Sequence, residues 1–152
     1  MSDPKDLYYV AVKVFLGKDG PPAGEAGKLF IFKDKFGDWD LPGGRIRKDE
    51  FATPLEQVIK RKMREELGDA IEYSIGEPIV FFRHERNEVG LGGQTVRIFG
   101  VGYKGKLISG DITMSEIHTQ MEWVDINTFK PEEYFTGGWL KGVRGYLEMK
   151  RE

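Results

Sequence analysis

The stretch that most constrains this chain runs from Pro42-Gly43-Gly44 through Lys48-Asp49-Glu50 into a helix predicted over Pro54 to Leu67 and stopped by Gly68. Thr53 is placed to cap the free N–H groups, Pro54 suits the first helical position, and Glu56 completes a Thr-x-x-Glu capping box. Leu55, Ile59, Met63 and Leu67 recur every fourth residue and make an apolar stripe that needs a sheet to pack on. At about 100° per residue, Glu65 falls opposite the stripe and Glu66 on its border. Lys62, Glu65 and Glu66, spaced i, i+3 and i+4, gather on neighbouring rows. A charged helix face is ordinarily a solvated one. Here it follows a Pro-Gly-Gly turn and an acid-rich loop, a combination that points to a metal–phosphate site.

The remaining chain supplies the sheet. Tyr8 to Leu16 is β-rich and mostly apolar, as a central strand should be, and Lys28 to Phe32 is a second strand. Gly17 to Gly27 reads as a surface loop, Lys35 to Asp38 as a turn, and Trp39 to Pro42 as a strand running into Gly43-Gly44. Pro78 to His84 is a strand, Asn87 to Gly93 a hairpin loop, and Thr95 to Leu107 a returning strand in which Gly100 and Gly102 are read as a bend. Ile108 to Ile117 reads as a mobile connection, Met121 to Asp125 as a short strand, and Ile126 to Phe129 as a helical turn. Trp139, Leu140, Val143, Tyr146 and Leu147 are spaced for a C-terminal helix over Trp139 to Met149. Strands, helix, strands, helix in that order favour a mixed sheet with helices on both faces. With no repeat or linker, residues 1–152 are expected to form one domain.

Composition narrows the partners. A net charge of −2 offers no basic footprint for general nucleic-acid binding. The absence of cysteine removes disulfides and thiolate metal sites. No run approaches the roughly 18 apolar residues of a membrane span, and Met1 to Asp6 is polar without a signal-like apolar core, so a cytoplasmic setting is expected. Phe36, Phe82 or Phe135 could stack on a nucleobase, although most aromatic residues of such a chain belong to its core.

The stretch resembles the Nudix box. In that pattern a Gly is followed after five residues by Glu, and after seven more by Arg-Glu-apolar-x-Glu-Glu-x-Gly-apolar; Gly44, Glu50, Arg61, Met63, Glu65, Glu66 and Gly68 stand at matching places. Ten residues rather than seven separate Glu50 from Arg61, Lys62 stands where the family has a metal-binding Glu, and Asp69 replaces the final apolar residue. The resemblance covers about residues 7–149 and implies an α/β/α sandwich with a mixed β-sheet. It implies a hydrolase using magnesium or manganese to cleave a nucleoside diphosphate linked to another moiety. It makes Glu65 and Glu66 catalytic metal ligands, adds the Gly44 carbonyl to the metal shell, and makes Glu50 and Arg61 a structural ion pair. A homodimer is expected by the same analogy.

Arg45 and Lys62 are expected to bind phosphate, Arg45 through its two-pronged guanidinium. An ammonium in place of a carboxylate opposes a bound cation, since two charges about 6 Å apart interact by roughly 3 kcal/mol at an effective dielectric near 20. Three consequences stay open: Lys62 pairs with Glu66, Lys62 touches the substrate phosphate, or the site has lost catalysis and only binds a nucleotide or protein. His118 resembles the general base of the GDP-mannose mannosyl hydrolase subfamily, and Arg45 after Gly44 and Lys48-Asp49-Glu50 resemble that subfamily's Pro-Gly-Gly-Arg turn and Lys-Asp-Glu. That likeness implies an alternative reaction, water attack at a sugar carbon; a loop histidine without a role is the competing reading.

Overall fold

The computed structural model describes residues 3–20, 25–88, 92–114 and 120–151. Seven strands form one sheet: β1 (Tyr9–Gly20), β2 (Glu25–Lys33), β3 (Trp39–Asp40), β4 (Gly43–Arg45), β5 (Ile71–Glu88), β6 (Gln94–Gly110) and β7 (Gln120–Asp125). Among the described residues there are two α-helices, α1 (Leu55–Leu67) and α2 (Gly137–Lys150), and two short 3-10 turns. The main order is β3-β2-β1-β6-β5, with β4 on β1 and β7 on β2. Only β1 and β6 run parallel among these pairings, from Tyr9 opposite Ile98 to Gly17 opposite Lys106. The sheet is therefore mixed, as the order of elements predicted.

The period-two alternation of the strands divides the core in two. Val12, Val14 and Leu16 of β1, with Phe30 and Phe32 of β2, face α1 and meet Val58, Ile59, Met63 and Leu67. The intervening Phe15, Leu29 and Ile31 face α2 and meet Val143, Tyr146 and Leu147. Each helix covers one face, giving the α/β/α sandwich. Phe82 and Phe135 are spent in the α2-side core, while Phe36 is exposed. No helix among the described residues is long and apolar enough to cross a membrane.

Several expectations are corrected. The helix begins at Leu55 with Pro54 as its cap residue in extended backbone, so Thr53 falls outside and the predicted box does not form. The Pro54 carbonyl takes the first bonds instead, from the Gln57 and Val58 N–H groups. Leu55 is exposed and Val58 takes its place in the apolar stripe. The segments read as a connection or missed altogether, residues 71–77 and 108–110, belong to β5 and β6, which pair along most of their length.

The register shifts on the β5 side opposite Gly102 and Tyr103, and both Gly100 and Gly102 serve a second purpose as well. They mark a close approach: a Cβ on Gly102 would sit 2.4 Å from Cε2 of Phe15, and one on Gly100 equally close to the ring of Phe82. Phe15 is fully buried and stacked on Tyr146 at 4.7 Å, so it has nowhere to retreat. Gly102→Ala is expected to lower unfolding stability by about 1–3 kcal/mol through overpacking. Adding Phe15→Leu should restore part of the loss in urea titrations. An unaltered midpoint for Gly102→Ala would contradict this packing.

Candidate active site

The site is built where β1, the Pro-Gly-Gly turn and the end of α1 converge. Gly43 adopts φ +126°, and a Cβ there would lie 2.0 Å from the Val12 carbonyl oxygen, so only glycine fits. Its two peptide groups are gripped from opposite directions. The Gly43 N–H donates to Glu66 Oε1 at 2.7 Å, and the Lys13 ammonium approaches the Gly43 carbonyl at 3.4 Å. Lys13 Nζ also donates to the Leu41 carbonyl at 3.2 Å and to Asp40 Oδ1 at 3.0 Å. Lys13 and Glu66 are both buried, at 4% and 8% exposure, and both bear on one turn.

Around this clamp the expected residues fall into separate groups. Arg61 forks onto Glu50, with Nε donating to Oε2 and Nη2 to Oε1, each at 2.9 Å. The longer connection does not prevent that contact, because an exposed turn over 51–53 absorbs it, with Phe51 in solvent. The buried Glu50 also accepts the Arg47 N–H at 2.9 Å, and Arg61 holds its carboxyl below the ordinary range. Arg61 Nη1 reaches back to Glu65 as well, at 3.0 and 3.2 Å from its two oxygens.

The Lys62 ammonium pairs with Glu65 Oε2 at 3.6 Å, which answers the first of the three open consequences differently from the predicted Glu66 pairing. Its stem crosses Gly44 so closely that a Cβ there would be 2.4 Å from Lys62 Cε. Arg45 is directed elsewhere: its guanidinium pairs with Glu88 and lies over the Tyr9 ring, 4.9 Å from the centroid. His118 lies outside the described residues, with the whole of 115–119.

Sequence reading missed Lys13, Asp40, His84 and Trp139. The signal for Lys13 was available, since it is the one charge in the run Tyr9 to Leu16. Its ammonium lies over the Trp139 ring at 5.2 Å, and Trp139 in turn lies against His84. The Gly138 N–H donates to His84 Nδ1 at 3.0 Å, and burial pulls the imidazole pKa below its ordinary value. Trp39, Asp40, His84, Tyr134 and Trp139 line a cleft of about 300 Å³ that opens beside the clamp. A larger cavity of about 500 Å³ lies at the start of β1 among Leu7, Tyr9, Val96 and Arg97, lined by none of the clamp residues.

A magnesium or manganese ion takes oxygen ligands in open octahedral geometry. Among the described residues no group of three His, Cys, Asp or Glu side chains could hold a metal ion. Both Glu65 oxygens are engaged by Arg61, and Lys62 lies between that carboxylate and Gly44. The Leu41 and Gly43 carbonyls face the Lys13 ammonium. In this arrangement the described residues do not fit a divalent ion.

Glu66 titrates unusually. Burial raises its pKa from 4.5 to about 7, against the pull of Lys13 and of the Gly43 N–H; Asp40 raises it further and Lys62 lowers it. The folded protein therefore binds the Glu66 proton more tightly than the unfolded chain does. That stabilisation is present below about pH 4.5 and is lost as pH rises through about 7. Each tenfold in proton affinity is worth about 1.4 kcal/mol, so ionising Glu66 costs roughly 3 kcal/mol. Glu66→Gln should raise the melting temperature relative to the native protein at pH 8 and leave it nearly equal at pH 4.5. A constant difference across that range would contradict the shift.

Comparison with known proteins places the fold. No family model and no curated protein sequence matches the chain. Among solved structures, it is similar to a MutT protein from Methanosarcina mazei Go1, at 18% identity and TM-score 0.70 over 99% of both chains. An ADP-ribose pyrophosphatase from Streptococcus suis aligns at 13% identity and TM-score 0.61, over 96% of this chain and 94% of its own. The Nudix domain of Shewanella oneidensis NrtR, solved in complex with ADP ribose, aligns at 16% identity and TM-score 0.62, over 97% and 93%. The chain has the fold of the Nudix proteins.

Proposed function

We propose that this chain is a hydrolase of phosphoanhydride bonds, cleaving a nucleoside diphosphate linked to another moiety by water attack at phosphorus. The observation that carries the reading is the clamp on Gly43, where a buried carboxylate of near-neutral proton affinity abuts a glycine turn crossed by a lysine. The fold supports it too, since two proteins sharing that fold are an ADP-ribose pyrophosphatase and a domain solved with ADP ribose.

In this reading each residue of the chain has one task. Lys62, with three N–H donors on a flexible stem, turns from Glu65 to a phosphate oxygen of the substrate. Glu66 accepts the proton of the attacking water, a task suited to a carboxylate whose pKa lies near the working pH. The water oxygen bonds to phosphorus as the bridging P–O bond breaks and the second phosphate leaves. Glu50 and Arg61 hold the loop against α1, and Lys13 fixes the turn from below. The cleft beside Trp39, Tyr134 and Trp139 has the volume and the aromatic walls to seat a base or ribose. Arg45 would join the phosphate contacts only by leaving Glu88. No observation favours attack at a sugar carbon, whose expected base, His118, lies outside the described residues.

A panel of ADP-ribose, UDP-sugars and GDP-mannose, incubated in oxygen-18 water with magnesium, manganese or a chelator, tests the proposal. Turnover of at least one compound is expected, with label in a phosphate product and a roughly 100-fold or greater loss of kcat in Glu66→Gln. Label in the sugar would indicate the carbon-attack reaction. Absence of turnover across the panel would leave a binding module and end the enzymatic reading.

A further inference from the structure

We infer that Lys62 is a tethered cation that occupies the place of a free divalent ion, keeping the site closed to the metal until that ammonium is removed. The inference concerns the ion alone and goes beyond the hydrolytic reading, which it neither needs nor supplies.

Three features carry it. First, the Lys62 stem lies on Gly44 within a would-be Cβ radius, 2.4 Å from Cε and 3.0 Å from Nζ, so the backbone itself delivers the ammonium to the turn. Secondly, that ammonium sits 3.6 Å from Glu65, the more exposed of the two adjacent glutamates and the one an incoming ion would meet first. Thirdly, Arg61 bonds both oxygens of the same carboxylate, so two positive charges of the chain already satisfy it. An ion arriving there must displace a partner that cannot diffuse away, and must do so against like charge. Arg61 is anchored by Glu50 through two bonds, whereas Lys62 is held at Glu65 by one ion pair. Lys62 is therefore the partner whose loss opens the site.

Manganese binding, read by the electron paramagnetic resonance of the free ion, tests this without substrate or turnover. Lys62→Met is expected to bind manganese at least tenfold more tightly than the native protein. Lys62→Glu, which adds a carboxylate, should bind more tightly still. The gain should disappear in Lys62→Met/Glu65→Gln, and Lys62→Arg should behave as the native chain. Equal affinity in the native protein and Lys62→Met would overturn the inference, as would a gain that survives loss of Glu65. A failed hydrolysis panel has no bearing on either outcome, so the two proposals fall separately.

Discussion

Everything in the site depends on one glycine held by two buried charges. Gly43 gives its N–H to Glu66 of α1 and its carbonyl to Lys13 of β1, and its backbone leaves no room for a side chain. Burying an ammonium and a carboxylate is costly unless each is paired or hydrogen-bonded, and here Asp40 pairs with Lys13 while the Gly43 N–H bonds Glu66. Asp40 and the Leu41 carbonyl complete the Lys13 shell, so the cost is offset by tying three groups of the 40–43 segment to the centre of the sheet. The reward is position. A helix end, a strand and a turn far apart in sequence are fixed to within a hydrogen bond of one another.

The fold makes that convergence available. β1 is central, parallel to β6 on one side and shared between β4 and β2 on the other, so Lys13 reaches the turn from the best-supported strand of the sheet. Because side chains alternate across β1, Val12 and Val14 can pack under α1 while Lys13 points to the α2 side, where Trp139 and the aromatic cleft lie. The clamp thus joins the two layers. Glu66 from α1 and Lys13, with the Trp139 ring of α2 over its ammonium, meet at the same turn.

The sequence made the layers and the helix legible, because each depends on local periodicity. Ile59, Met63 and Leu67 mark the buried face of α1, and Val143, Tyr146 and Leu147 that of α2. The outward Glu65 likewise follows from helical geometry, which put Glu66 only on the border of the stripe where the fold buries it. What stayed hidden was set by tertiary partners. Thr53 has a capping sequence, but Pro54 takes the cap because its backbone is extended. Gly100 and Gly102 look like strand breakers until the rings of Phe82 and Phe15 are seen filling their space. Arg45 reads as a phosphate fork, yet Glu88, distant in sequence, takes it. Lys13 could have been noticed as a lone charge in an apolar strand, but its Asp40 and Gly43 partners required the fold.

The most direct measurement is the amide spectrum of isotopically labelled protein, followed at Gly43 and Gly44 while ADP ribose is added. If the clamped turn is the ligand site, these two amides shift first and most, and Gly43 also moves with an apparent pKa of about 7 as Glu66 titrates. Glycine amides that stay fixed while shifts gather at the start of β1 would place the ligand elsewhere and contradict the account.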